Sequence, residues 1–200
     1  MSKDTAQLKK DFIYVPTLNL YFSKKEISFG TTWYETNKLL QSQGSKMPTI
    51  PEYLEFLKHL KNSKNQEEIG IYREIIEPGS FFRGEWLDAV FNVKNNKNYI
   101  NYNHILDSNG NLIPKNSEIL DEETLMKDKK ISLENWLENP TKQGLPTKNV
   151  ELGNLYYWYP RGYNNSVARL VANSAFTYLS CGANPSNLNL KVRAIKKGRF

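Results

Sequence analysis

A chain of 200 residues, 39% hydrophobic and 12% aromatic, holds enough apolar material for one packed domain, and a single core is the expectation at this length. The net charge of +6 is carried by lysines interleaved with Glu and Asp, and no nucleic-acid-binding motif accompanies them, so no nucleic acid is expected as a partner. A lone cysteine, Cys181, excludes an internal disulfide framework, and no apolar stretch approaches the ~20 residues of a membrane helix.

The polar start from Met1 to Lys10 lacks the apolar run of a signal peptide, so a soluble product is expected, cytoplasmic or associated with a virion. From Asp11 to Phe22 the residues Phe12, Tyr14, Leu18, Leu20 and Phe22 alternate on either side of Pro16-Thr17, which predicts an edge hairpin. Thr31-Thr32 then offer N-cap oxygens to an amphipathic helix through Trp33, Thr36, Asn37, Leu39 and Leu40, and Gly44 is placed to end it. A second helix opens at Met47-Pro-Thr-Ile-Pro-Glu-Tyr-Leu, with Thr49 as N-cap and Pro51 at N1. Tyr53, Leu54, Leu57 and Leu60 follow at helical spacing as its core face.

Between 71 and 93, Tyr72, Ile75, Ile76, Phe81, Phe82, Trp86, Leu87, Val90 and Phe91 read as core around a turn at Pro78-Gly79. Trp86 is expected to be buried together with Trp158. Glu85 and Asp88, at helical spacing in Gly84-Glu-Trp-Leu-Asp-Ala89, are neighbours on one turn rather than the facing pair a glycosidase needs, so a structural role is expected. The stretch 94–148 is rich in Asn, Lys and Asp and reads as an insertion within the same domain. It contains a turn at Ser108-Asn-Gly110 and a short helix near Ser132 to Leu137. His59 and His104 fall in no metal-ligand spacing and are expected to be solvated or satisfied by caps; neither a metal nor a cofactor is expected.

The aromatic strand Leu155-Tyr-Tyr-Trp-Tyr159 leads through Pro160-Arg-Gly162 into short alternating strands that end at Lys191-Val-Arg-Ala-Ile195. Element order argues an α+β fold, with the N-terminal strand beside the C-terminal strand that holds Val192 and Ile195. In Thr177-Tyr-Leu-Ser-Cys-Gly182, Thr177, Leu179 and Cys181 point to one face and Tyr178, Ser180 and Gly182 to the other. Ala168, Leu170 and Ala172 likewise share a face opposite Val171 and Asn173, with a break near Ser174-Ala175.

Three pieces of this sequence, Trp33 to Leu40 followed by Met47-Pro-Thr-Ile-Pro, then Gly84-Glu-Trp-Leu-Asp-Ala89, then Trp158 to Arg193, occur in an order that resembles the C-type-lectin-like domains related to the formylglycine-generating enzyme. Ser166-Val-Ala-Arg-Leu-Val-Ala-Asn-Ser174, Leu179-Ser-Cys181, Pro185-Ser186 and Val192-Arg193 are similar to the diversified C-terminus of the variable proteins of diversity-generating retroelements, phage and archaeal viral members included. Where that family carries Leu-Gly-Val-Arg, this chain has Leu190-Lys-Val-Arg193. The resemblance implies a single domain over 1–200, two helices packed on small twisted antiparallel sheets, and a variable ligand-binding segment at 165–193.

It further implies adenine-directed variation, whose products exclude Lys, Glu, Gln, Met and Trp; none of these occurs from Asn165 to Leu190. The outward, ligand-binding set it implies is Val171, Asn173, Ala175, Phe176, Tyr178, Ser180, Gly182, Ala183, Asn184 and Asn187. The implied function is non-enzymatic recognition of a protein ligand such as a cell-surface receptor, in an oligomeric state the sequence leaves open. Calcium-dependent sugar binding is not expected, because no Asp or Glu follows Pro160. Two alternatives stand beside this reading: an undiversified lectin-like module, and an enzyme of the formylglycine-generating type, whose cysteine chemistry a single inward Cys181 does not supply.

Overall fold

Pro16 and Asn19 turn the first apolar run back on itself, Asn19 taking a left-handed φ of 52°. β1 (Phe12–Val15) and β2 (Leu20–Ser23) thereby pair antiparallel, from Phe12 opposite Ser23 to Val15 opposite Leu20. The other edge of β2 takes β10 (Ile195–Lys197), with Ile195 opposite Phe22, so the N- and C-terminal strands close into one three-stranded sheet as the sequence suggests. The computed structural model describes residues 10–27, 29–161 and 165–197; the polar start before Lys10 and Gly162 of the expected turn lie outside the described residues.

Two reciprocal caps set the helices. Thr32 accepts from the Glu35 amide while Glu35 accepts from the Thr32 amide, opening α1 (Trp33–Ser42), and Gly44 follows it at φ 68°. Thr49 and Glu52 repeat the arrangement at α2 (Ile50–Lys61). A third helix, α3 (Gln66–Ile76), is absent from the sequence reading. It buries only Ile71 and Ile75 fully, too thin a stripe to stand out from the polar run before it. The core reading of 71–93 also fails at its middle: Phe81 and Phe82 are 80% and 51% exposed on the loop after α3.

Gly84 to Ala89 are strand, not a helical turn, within β3 (Arg83–Lys94). The reason is burial on both faces: Gly84 to Phe91 are all buried, and such a strand loses the alternation that would distinguish it. Asn95-Asn96, with φ of 52° and 59°, turn it into β4 (Lys97–Leu106), and a turn around Gly110 leads to β5 (Leu112–Ile119). β6 (Lys129–Ile131), α4 (Leu133–Glu138), β7 (Leu155–Trp158), β8 (Ser166–Ala172) and β9 (Thr177–Ala183) complete a seven-stranded sheet in the order β5-β4-β3-β8-β9-β7-β6.

The fold is therefore α+β, but the main sheet is large and mixed rather than small and antiparallel, because the 94–148 stretch adds β4, β5 and β6 and because β7 runs parallel to β9. Helices among the described residues number four, not two. The same stretch contributes Trp136, Leu137 and Leu145 to the main core, and the Trp136 indole donates to the Gly144 carbonyl at 2.9 Å. No helix of the described residues is long and apolar enough to cross a membrane.

Both faces of the sheet are covered over β3, β8 and β9. On one, α2, α3 and β1–β2 pack over Leu87, Ala168, Leu170, Leu179 and Cys181; on the other, Trp33, Leu40 and Met47 join Leu190, Val192 and Ala194 over Trp86, Val171 and Tyr178. Arg193, 1% exposed, fastens the elements around the small sheet. Its Nε donates to Glu85 at 3.1 Å and its Nη1 to the carbonyls of Ser23, at 3.1 Å, and Lys24, while the Tyr53 hydroxyl donates to Glu85 at 2.9 Å. Burial raises the Glu85 carboxyl from its ordinary value against the lowering pull of Arg193 and Tyr53; the carboxylates of Glu85 and Glu26, against burial, hold Arg193 above its own.

Removing one partner of such a pair strands the other. Arg193→Met is expected to lower the unfolding free energy by about 3–5 kcal/mol, and Arg193→Met with Glu85→Leu to recover a measurable part of it, because the double variant leaves no unpaired buried charge. Chemical denaturation of the three proteins decides this; a double variant less stable than Arg193→Met shows that the pair is not what is lost.

Candidate functional site

Cross-strand register places two rows of side chains on the second face of the main sheet. One row runs Lys130, Tyr156, Tyr178, Val171, Gly84; the next runs Trp158, Ser180, Arg169, Trp86. Gly84 is required by its row: a Cβ there would sit 2.2 Å from Leu190 Cδ2 and 3.2 Å from Val171. The part of the face toward β3 is sealed by α1 and the 190–194 segment, and the part toward β6 and β7 is open enough to leave Tyr156, Trp158 and Phe176 half-buried.

Four rings form a continuous ladder on that open part. Ring centroids are 4.3 Å apart for Trp158 and Tyr178, 4.7 Å for Tyr156 and Phe176, and 5.7 Å for Phe176 and Tyr178, all tilted. A cation lies against each tyrosine: Lys130 Nζ is 4.7 Å from the Tyr156 centroid and the Arg169 guanidinium 5.8 Å from that of Tyr178. Phe82 lies at the β3 end of the first row, its ring 3.4 Å from where a Gly84 Cβ would lie.

The sequence-derived outward set divides on this structure. Ala175, Gly182 and Asn184 are exposed, and Asn173, Phe176 and Asn187 are half-buried. Val171, Tyr178, Ser180 and Ala183 are buried at 1%, 6%, 3% and 3% exposure, contrary to the solvent-facing placement expected of them. Alternation separates the two faces correctly, since Leu170, Leu179 and Cys181 enter one core and Val171 and Tyr178 the other, but the second face is roofed rather than bare. Ala183 joins the second cluster because the register slips between Val167 and Arg169, adding a residue to β9 and turning Gly182 out to solvent.

Two asparagines of the set shape their loops. Asn173 Oδ1 accepts from the amides of Ala175 at 2.8 Å and Phe176 at 2.9 Å, and Asn184 Oδ1 accepts from Ser186 at 2.9 Å. The loop after β9 is tied to the start of α1 by the Trp33 amide donating to the Pro185 carbonyl at 2.8 Å. Both loops thus present backbone held in defined turns beside the ring ladder.

Sequence reasoning missed Tyr156, Trp158, Lys130 and Arg169 as members of this surface. Trp158, expected in the core with Trp86, is half-buried, whereas Trp86 is fully enclosed. The signal was available in Leu155-Tyr-Tyr-Trp-Tyr159, where Tyr156 and Trp158 must share the face opposite Leu155 and Tyr157. Two donors on the second row, Trp86 Nε1 and Arg169 Nε, are buried without a partner among the described residues.

The groups with catalytic potential lie elsewhere and are occupied. Glu85 is engaged by Tyr53 and Arg193. Asp88 receives the His104 backbone amide at 2.9 Å and its Nδ1 at 2.5 Å, and the His104 ring abuts Trp33 edge-on at 5.1 Å. His104 is therefore a buried member of a side-chain pair, not the solvated or capped histidine expected; His59 is partly exposed, 3.4 Å from Glu68. Cys181 is fully buried, and burial pushes its thiol well above the ordinary value, so little thiolate forms at neutral pH. Comparison of the chain with family models, with curated proteins and with solved structures gave no match.

Proposed function

We propose that this chain is a non-catalytic binding protein on a C-type-lectin-like scaffold, akin to the variable proteins of diversity-generating retroelements, and that it recognises a protein ligand such as a cell-surface receptor. The observation that carries the reading is the half-open ladder of Tyr156, Trp158, Phe176 and Tyr178 between the loops at 173–176 and 184–187. Stiff aromatic rings give large contact area for little lost entropy, and loop Asn and Ser residues add adaptable hydrogen bonds, a composition suited to recognition. Closure of β2 on β10 and the two capped helices α1 and α2 fit the scaffold part of the reading.

A diversified surface must vary without unfolding, so the positions that carry variation are narrowed to Asn173, Ala175, Phe176, Gly182, Asn184 and Asn187. Gly182 is informative among these: it has no left-handed φ, and a Cβ there would meet nothing closer than 3.8 Å. Sequencing the gene from many isolates, with any near-copy of the DNA for residues 165 to 193, is expected to show substitutions concentrated in the codons of these six positions, matching adenines of the copy, and absent at Leu170, Leu179 and Cys181. Variation spread evenly along 165–193 returns the chain to an undiversified module.

Stability should divide the segment in the same way. Ala175→Tyr and Gly182→Ser are expected to change the unfolding free energy by less than ~0.5 kcal/mol each. Leu179→Ala is expected to cost about 2–5 kcal/mol and Tyr178→Ala, also a core change, about 3–5 kcal/mol. Denaturant titration reads all four, and an unstable Gly182→Ser protein would remove that position from the tolerant set.

A further inference from the structure

We infer that the ring ladder takes an acidic, aromatic-containing segment of a protein partner, with Arg169 and Lys130 receiving its carboxylates; this rests on the binding reading above and specifies the chemistry of its ligand. The two rows that build the surface contain two cations and no carboxylate: Lys130 and Arg169 stand among Tyr156, Tyr178, Trp158, Ser180, Val171, Gly84 and Trp86. Three other C-terminal cations are matched by acids, Arg161 by Asp128 at 2.7 Å, Lys191 by Glu26 at 2.8 Å and Arg193 by Glu85 at 3.1 Å. Among the described residues Lys130 and Arg169 have ring faces as their partners and no acid.

A guanidinium fixed against an aromatic ring is partly dehydrated and held in one orientation, the condition under which a carboxylate gains most from it. Arg169, whose side chain is only partly buried, keeps the hydrogen-bonding capacity of its Nε unused. Donors without acceptors favour a ligand that brings acceptors. The half-buried rings of Tyr156, Trp158 and Phe176 call for apolar side chains in the same segment.

A single-stranded nucleic acid also combines negative charge with stacking, but the geometry suits it less. The ladder rings are tilted against one another, at 45° for Trp158 and Tyr178 and 48° for Tyr156 and Phe176, and the tyrosine faces are taken by cations, so a run of parallel platforms for bases is not offered. Two cations also fall short of a track along a phosphate backbone.

The test is selection from a phage-displayed library of random dodecapeptides on the immobilised full chain, followed by titration of the enriched peptides as free synthetic ligands. Expected are peptides that combine Asp or Glu with aromatic residues, weakened about tenfold or more by Arg169→Gln with Lys130→Gln while the melting temperature holds, and weakened by added salt. Arg169→Lys should recover only part of the loss, since it restores charge without the fork. Enriched peptides that are neutral or basic, yet lost on Trp158→Ala, overturn the acidic chemistry and leave the binding face standing. Peptides that bind Trp158→Ala and Phe176→Ala proteins at full strength, or no enrichment at all, overturn both readings. Displacement of the peptides by oligothymidylate at lower concentration than by poly-glutamate overturns the choice of a protein partner.

Discussion

Arg193 carries a full charge at a point where the chain has almost no water, and its neighbours are arranged to make that tolerable. Glu85 comes from β3, Tyr53 from α2 and the Ser23 carbonyl from the end of β2, so one guanidinium draws together an interior strand of the main sheet, the helix that covers it and the small sheet that closes the termini. The Ala194 amide, donating to Ser23 Oγ at 3.0 Å, and the mutual pairing of Lys46 with Ile195 fix the backbone on either side. A planar five-donor group suits this position where an ammonium would not, because several acceptors approach from different elements at once.

With the C-terminal segment held there, residues 190–194 lie along β3, the Trp86 amide donating to the Lys191 carbonyl and the Lys191 amide to the Gly84 carbonyl, both at 2.9 Å. Leu190 then fills the space that Gly84 leaves open. The roof over the second face follows from this contact and from α1. It ends before β7, which is why the same sheet face is core at Trp86 and Val171 and a half-open aromatic surface at Tyr156 and Trp158. Fold and proposed ligand surface are thus two parts of one layer. The rings outside the roof are kept in place by the buried Tyr178 and by their tilted contacts rather than by a covering element.

The separation between enclosed and open positions in the C-terminal segment has a plain physical basis. Leu179 and Cys181 face a core packed by helices and admit little change in volume, whereas Ala175, Gly182 and Asn184 sit where the hairpin turn, the β9 bulge and the following loop leave open space. Cys181 lies on the same core side of the sheet, where burial keeps its thiol protonated.

By itself the sequence determined what is local. Thr32 and Thr49 with a glutamate three residues on set two helix starts, Pro16 and the asparagines set the turns, and the period of two from Thr177 to Cys181 assigned Leu179 and Cys181 to a buried face. Only the tertiary structure decided what lies over the other face. Val171, Tyr178 and Ser180 have the same periodicity whether that face is wet or roofed, and the roof comes from α1 and from residues 190–194, distant in sequence or on the far side of a loop. Trp158 shows the reverse case, a large apolar side chain that hydropathy sends inward and that the end of the roof leaves partly in solvent. The partners of Glu85, Asp88 and Arg169 were likewise out of reach, because an ion pair or its absence depends on register between strands, and register is set by contacts across the whole sheet.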